Sequence, residues 1–368
     1  MIDINKVSRQ CIQEFKDYIP GKPIEEVKRE LGLDNVLKLS SNENPLGASP
    51  LAMQAMIKEL YENCNYYPES SSPLLAAKLA KMHHLDPDQF FINNGVDGVL
   101  SMIAIAIIDC GEEAVTSQFS FQAYQNVTTR MGGKIILVPQ TGDHRFDIDG
   151  IIAVLTPRTK IVFLCNPNNP TGTISTRSEF DRLMAAVPEN TLVVSDEAYY
   201  DFVDDPAYPQ TIPYLKKYTN LVVTRTFSKA MGLAGLRIGY AIAHPEIIKV
   251  LRKVSDPFPV NRIAQAGALA GLDDLEFLRC SVDVVREGRQ QVYQGLLKMG
   301  LNPVPSQANF VFVDLGIPST PVYERMLRLG VIVRPLAPQG MPTCMRFTIG
   351  TPDQNARALA TLAKALGI

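Results

Sequence analysis

The chain has 368 residues, 46% of them hydrophobic and 20% charged, with a formal net charge of -2. That length exceeds the roughly 250–300 residues at which a single core stops growing, so one large domain with a smaller companion is expected. The balanced charge, with no long basic or acidic run, excludes the electrostatic footprint of a nucleic-acid or membrane partner.

The opening MIDINKVSRQCIQEF has acids and amides where a secretory signal carries an apolar stretch, and a cytoplasmic location is expected. From about residue 73 helical patterns alternate with short apolar runs: SPLLAAKLAKM, GVDGVLSMIAIAII, AVTSQF, SFQAYQNVTTRMGG, KIILVP. The run VLSMIAIAII at 99–108 is about half of the roughly 20 apolar residues a bilayer requires and reads as a buried helix. The alternation continues through IVFLC, RSEFDRLMAAV, LVVSDEAY, LVVTRTFSK and IGYAIAH, with Thr176 and Glu179 forming a capping box for the helix between the first two of these strands. An α/β architecture with a mostly parallel sheet follows.

Beyond Pro259 the texture changes. A helix-rich stretch from Arg262 to Met299 leads into NFVFVDL, a helix near TPVYERMLRLG, and the strands VIVRP and MRFTIG, which read as a smaller α+β domain. The proline-rich joint DPFPVN sets the expected division: 45–260 as the large domain, 1–44 and 261–368 as an N-terminal arm and a small C-terminal domain. The six cysteines contain no CxxC pair and the four histidines show no ligand spacing, so free thiols and no metal are expected.

In open α/β sheets ligands bind beyond the carboxyl ends of the strands. Here IVFLC ends in NPNNPTG, LVVS in DEAYY and LVVTRTF in SK, which brings Asn169, Asp196 with Tyr199, and Ser228 with Lys229 to candidate positions. Each has a plainer role when taken alone: a turn for NPNNPTG, a strand-end carboxylate for Asp196, a snorkelling lysine for Lys229. One cofactor accounts for all of them. Pyridoxal phosphate needs a lysine for its aldehyde, a carboxylate for its ring nitrogen, and amides, hydroxyls and an arginine for its phosphate. Lys229, Asp196, and Ser228 with Arg237 supply these, and FINNGVDGVL adds a strand, a turn at Gly95 and a helix whose first N–H groups, at Val96 and Asp97, face an anion. Gly232 and Gly235 are expected to turn the chain so that Arg237 faces back toward the lysine. Triphosphate-loop, nucleophile-elbow and zinc-protease motifs are missing, and GLAGLRIG is not a dinucleotide fingerprint.

With NPNNPTG, SDEAY, and SK followed by GLAGLRIGY, the chain resembles the fold type I, aspartate-aminotransferase-like pyridoxal-phosphate enzymes. YIPGKPIEEV, LSSNENPLG, NYYPES, GVDG and MRFTIGT extend the resemblance over nearly the whole chain, most closely to the histidinol-phosphate aminotransferase branch. The resemblance implies that Lys229 binds the cofactor's aldehyde covalently and that Asp196 pairs with its ring nitrogen. Asn169 and Tyr199 would hydrogen-bond its phenolic oxygen, and Phe121 would stack on its face. Its phosphate would be held by the amides of Val96 and Asp97, by Thr226, Ser228 and Arg237, and by Tyr67 from a second subunit, which makes a homodimer the expected assembly. Tyr18, Arg334 and Arg346 match positions that bind the anionic end of the substrate in this branch. Two departures stand out: Gly98 replaces an acidic residue, which removes a side chain expected near the cofactor rim, and Phe121 replaces a tyrosine, which keeps the ring but not the hydroxyl.

The expected reaction is transamination of a small-molecule amino donor with a 2-oxo acid, histidinol phosphate with 2-oxoglutarate first. Aromatic or other amino acid transamination, phospho-amino-acid decarboxylation, and a non-catalytic pyridoxal-phosphate-binding protein remain as alternatives.

Overall fold

The computed structural model describes residues 2–13 and 22–368. After a short strand β1 (Leu37–Lys38), seven strands build the main sheet: β2 (Phe90–Asn93), β3 (Glu113–Ser117), β4 (Lys134–Val138), β5 (Thr159–Cys165), β6 (Leu192–Asp196), β7 (Leu221–Thr226) and β8 (Gly239–Ala243). Their order is β2-β8-β7-β6-β5-β3-β4. Strands β3 to β7 pair in parallel, and their neighbouring helices cover the faces, so β5 and β6 read as continuous apolar runs rather than alternating ones.

IGYAIAH is the exception to the parallel pattern. As β8 it runs antiparallel to both β7 and β2, because residues 227–238 hold a turn and a short 3-10 segment, Ala234–Leu236, in place of a crossover helix. The expected capping box is formed, with Thr176 Oγ1 accepting from the Glu179 amide at 3.4 Å and Glu179 accepting from the Thr176 amide at 2.6 Å.

The C-terminal part supplies β9 (Asn302–Val304), β10 (Phe310–Asp314), β11 (Val331–Ile332), β12 (Arg334–Pro335) and β13 (Cys344–Thr348). An antiparallel sheet ordered β12-β13-β10-β9 packs under the helices Leu275–Lys298, Ser319–Arg328 and Pro352–Leu366, while β11 pairs in parallel with β1. Leu37 and Leu39 thereby join the second core, whose other members run from Val292 to Ala365. The larger core extends from Ala52 to Leu272, past residue 260. The helix Arg262–Gly271 belongs to it because Gly267 lets the helix Pro50–Asn63 approach closely: a Cβ there would come within 2.8 Å of Met56. Gly172, in the turn after β5, accepts from the Gln307 amide at 2.8 Å and so ties that turn to the second core's side.

Candidate active site

A cavity of about 410 Å³ opens at the carboxyl ends of β5, β6 and β7, within the roughly 300–1,000 Å³ usual for small-molecule sites. Val96, Asp97, Phe121, Asn169, Asp196, Tyr199, Thr226, Ser228, Lys229, Arg237, Arg334 and Arg346 all line it. Strand ends are therefore where the chemistry gathers, as the topology dictates.

Asp196 ends β6 at the cavity floor, almost fully buried. Its Oδ2 accepts from the Tyr124 hydroxyl at 2.7 Å and its Oδ1 from the Ala198 amide at 3.2 Å. Burial raises its pKa to about 6, and the Tyr124 hydrogen bond works against that rise. Tyr124 itself is fully buried, stacked on Phe163 at 4.7 Å and edge-on to Phe121 at 5.7 Å. Burial, reinforced by the neighbouring carboxylate, pushes its phenol well above the usual range, so it remains a proton donor.

Lys229 follows β7 and donates from Nζ to the Ser41 carbonyl at 3.3 Å. Its Nζ lies 5.9 Å from the centre of the Tyr199 ring. Burial first, and then the Arg346 charge, lower its pKa to about 8, which brings a neutral amine within reach of physiological pH.

One end of the cavity is built on the helix Gly95–Ile107, whose first amides have no partner within the helix and face the cavity with the positive end of the helix dipole, an arrangement suited to an anion. Arg237 closes it, donating to Asp97 Oδ2 and to the Ala234 carbonyl, both at 3.1 Å. Gly95, at φ 71°, leaves the space that this arginine needs, since a Cβ there would lie 2.7 Å from Arg237 Nη2. Thr226 Oγ1 accepts from the Ser228 amide at 3.0 Å and holds the turn that presents both residues. Of the two glycines expected to shape this turn, only Gly232 is required: its φ is 71° and a Cβ would fall 1.8 Å from the Gly47 carbonyl oxygen. Gly235 meets nothing within 4 Å, and the second left-handed residue is Arg237 itself, at φ 53°.

The opposite wall comes from the small sheet. Arg346, on β13, donates to Asn169 Oδ1 at 2.5 Å and to the Ser40 carbonyl at 2.7 Å, with its guanidinium 5.2 Å from the Phe310 ring centre. Arg334 on β12 is its direct cross-strand partner. The two guanidinium groups thus stand side by side on the small sheet, and both line the cavity.

Tyr67 stands outside its own cavity, 79% exposed and stacked on Phe258 at 4.7 Å. Tyr18 lies outside the described residues. The expectation for Gly98 is corrected: it does not line the cavity, and a Cβ there would point at Asn93 Oδ1, at 2.6 Å, in the packing between helix and β2. Two contributions were missed by the sequence reading. Tyr124 had a usable signal, lying one helical step after Phe121; the segment Ser40–Ser41–Asn42 had only its place in LSSNENPLG. Among the described residues no cluster of histidine, cysteine and carboxylate side chains could hold a metal.

The family model for aminotransferase class I and II matches residues 34–362. This chain belongs to that family. The aminotransferase is 43% identical over 363 residues to histidinol-phosphate aminotransferase 2 of Carboxydothermus hydrogenoformans, covering 98% of this chain and 99% of the relative. It is 45% identical over 355 residues to the histidinol-phosphate aminotransferase of Brevibacillus brevis, covering 96% and 97%. Among solved structures, the histidinol-phosphate aminotransferase of Sinorhizobium meliloti in complex with pyridoxal-5'-phosphate superposes with a TM-score of 0.88 at 28% identity, covering 97% of each chain.

Proposed function

We propose that this aminotransferase uses pyridoxal phosphate to transfer an amino group from histidinol phosphate to 2-oxoglutarate. The observation that carries the reading is the convergence, in one cavity, of a buried carboxylate, a lysine with a lowered pKa and a helix N-terminus closed by an arginine. These residues fit the cofactor. Asp196 presents a carboxylate to a ring nitrogen, Lys229 a nucleophile to an aldehyde, and the backbone amides of Val96 and Asp97, with the side chains of Thr226, Ser228 and Arg237, a set of donors to a phosphate. The space kept free at Gly95 belongs to that cradle.

When bound, pyridoxal phosphate supplies the electrophilic aldehyde and the electron-withdrawing ring. Asp196 keeps the ring nitrogen protonated, which a carboxylate that ionises near pH 6 and is held by Tyr124 can do at neutral pH. Lys229 Nζ takes the proton from the donor's α-carbon, and its lowered pKa makes the neutral, proton-accepting form available. Arg334 and Arg346 orient the donor by its anionic end, and the imidazole-bearing phosphate ester named in the relatives carries such an end.

A homodimer and a cytoplasmic location are part of the proposal. The helix Pro50–Asn63 exposes Leu51, Met53, Ile57, Leu60 and Tyr61, close in sequence to the exposed Tyr66 and Tyr67, a face suited to a second copy whose phosphate cradle Tyr67 would complete. All six cysteines are free, as a reducing compartment favours.

Steady-state rates with 2-oxoglutarate and a panel of histidinol phosphate, phenylalanine and tyrosine test the substrate. The highest kcat/KM is expected for histidinol phosphate, and activity confined to the aromatic amino acids would overturn it.

A further inference from the structure

Asn42 is a buried, non-glycine residue held at φ 55°, a left-handed conformation that costs energy unless its surroundings impose it. The surroundings impose it on every polar group. Its amide N–H donates to Thr348 Oγ1 at 2.9 Å, and its carbonyl accepts from Asn309 Nδ2 at 3.0 Å. The Thr348 hydroxyl donates to Asn42 Oδ1 at 3.1 Å, which fixes the orientation of the side-chain amide. Its Nδ2 therefore faces Tyr199 and donates to the phenol oxygen at 3.0 Å.

This direction matters because a hydroxyl has one proton and can either give or receive at a ligand. With the Tyr199 oxygen already receiving a proton from Asn42, the tyrosine's own proton is left to point elsewhere, and Tyr199 lines the cavity. Asn169 is treated in the same way: its Oδ1 is taken by Arg346, which leaves Nδ2 as the group it can offer. Both side chains are thus turned into donors from behind, a pair matched to a single oxyanion.

We propose that Asn42 is a positioning residue that commits the Tyr199 hydroxyl to donate to a bound oxyanion, with Thr348 holding the Asn42 amide in the orientation that does so. On the functional reading above, on which this inference rests, the oxyanion is the phenolic oxygen of pyridoxal phosphate. Asn42 acts through Tyr199, and its effect is to stabilise the anionic form of that oxygen.

The test is a pH titration of the near-visible absorbance of the pyridoxal-phosphate-loaded protein in five forms: wild type, Asn42→Gly, Thr348→Val, Tyr199→Phe and the double variant Asn42→Gly/Tyr199→Phe. Glycine keeps the left-handed backbone and removes only the amide. The midpoint is expected to rise by about one pH unit in Asn42→Gly, in the same direction as in Tyr199→Phe. A smaller rise is expected in Thr348→Val, and the double variant should move no further than Tyr199→Phe alone, because the amide acts through the phenol. An unchanged midpoint in folded Asn42→Gly, or additive shifts in the double variant, would overturn the inference. Where Asn42→Gly does not fold, Thr348→Val decides in the same way. A wild-type protein that gains no near-visible band with pyridoxal phosphate overturns the functional reading itself, and that outcome is distinct from an unresponsive variant.

Discussion

The two walls of the cavity are built differently. The wall from the main sheet is made of short contiguous motifs at neighbouring strand ends: NPNNPTG after β5, DEAY at the end of β6 and SK after β7, each presented by a backbone that a parallel ladder has already aligned. The opposite wall is assembled from distant pieces, with Asn42 bonded to Thr348 and Ser40 to Arg346, each across 306 positions of sequence. On the proposed function, the first wall would hold the constant cofactor, while the second would meet the substrate through Arg334 and reach the cofactor only by way of Tyr199 and Asn169. The comparison teaches that changes on the first wall, or at Asn42 and Thr348 behind Tyr199, should alter cofactor chemistry, while a change at Arg334 should alter recognition and leave the cofactor in place.

The sharpest break comes from Lys229→Ala. Loss of the amine should lower kcat by about a thousandfold or more while the fold persists, as circular dichroism would verify. Wild-type turnover in this variant would remove the main-sheet wall from the mechanism. Arg334→Ala probes the other wall: kcat/KM for a phosphate-bearing donor should fall by about a hundredfold, with the near-visible spectrum unchanged. A changed spectrum with an unchanged KM would dissolve the distinction between the walls.

The pH dependence of cofactor capture by the apo protein should carry two signatures of the main-sheet wall. As pH falls through about 6, Asp196 takes up a proton, its charge no longer complements a protonated ring nitrogen, and equilibrium affinity should weaken. As pH rises through about 8, Lys229 Nζ loses its proton and becomes the nucleophile, so the rate of covalent capture should rise and then level off. Stopped-flow absorbance and equilibrium titration read the two separately.

Two glycines of one segment give the finest contrast. Gly232→Ala drives a Cβ to 1.8 Å from the Gly47 carbonyl oxygen at a left-handed residue, and should cost about 2–3 kcal/mol or more in denaturant unfolding. Gly235→Ala meets nothing and should stay within about 0.5 kcal/mol of wild type.

This contrast also marks how far the sequence could be read. The parallel sheet, the gathering of strand-end residues at one cavity and the helix that starts at Gly95 beside Arg237 were legible because each is encoded locally, in an apolar run and the polar residues that end it. The antiparallel direction of β8 was not, since IGYAIAH looks alike either way and only the connection before it decides. Gly235 and Gly98 illustrate a further limit: a glycine in a motif shows where a side chain is missing, but not which way that side chain would have pointed. Asn42 lay in plain view within LSSNENPLG, yet its role depends on Thr348 and Tyr199, which no local pattern connects to it. Tyr124 could have been found by extending helical spacing from Phe121, because its hydroxyl reaches the carboxylate that the strand-end argument had already singled out.

On the proposed function, histidinol phosphate gives up its amino group in this cavity with pyridoxal phosphate held at Lys229. The most direct measurement mixes the cofactor-loaded protein with histidinol phosphate in the absence of any 2-oxo acid and follows near-visible absorbance and products together. The account predicts loss of the band with one equivalent of oxo product released, and return of the band when 2-oxoglutarate is added. A band that does not respond to the donor, or that fades without release of an oxo product, would contradict it.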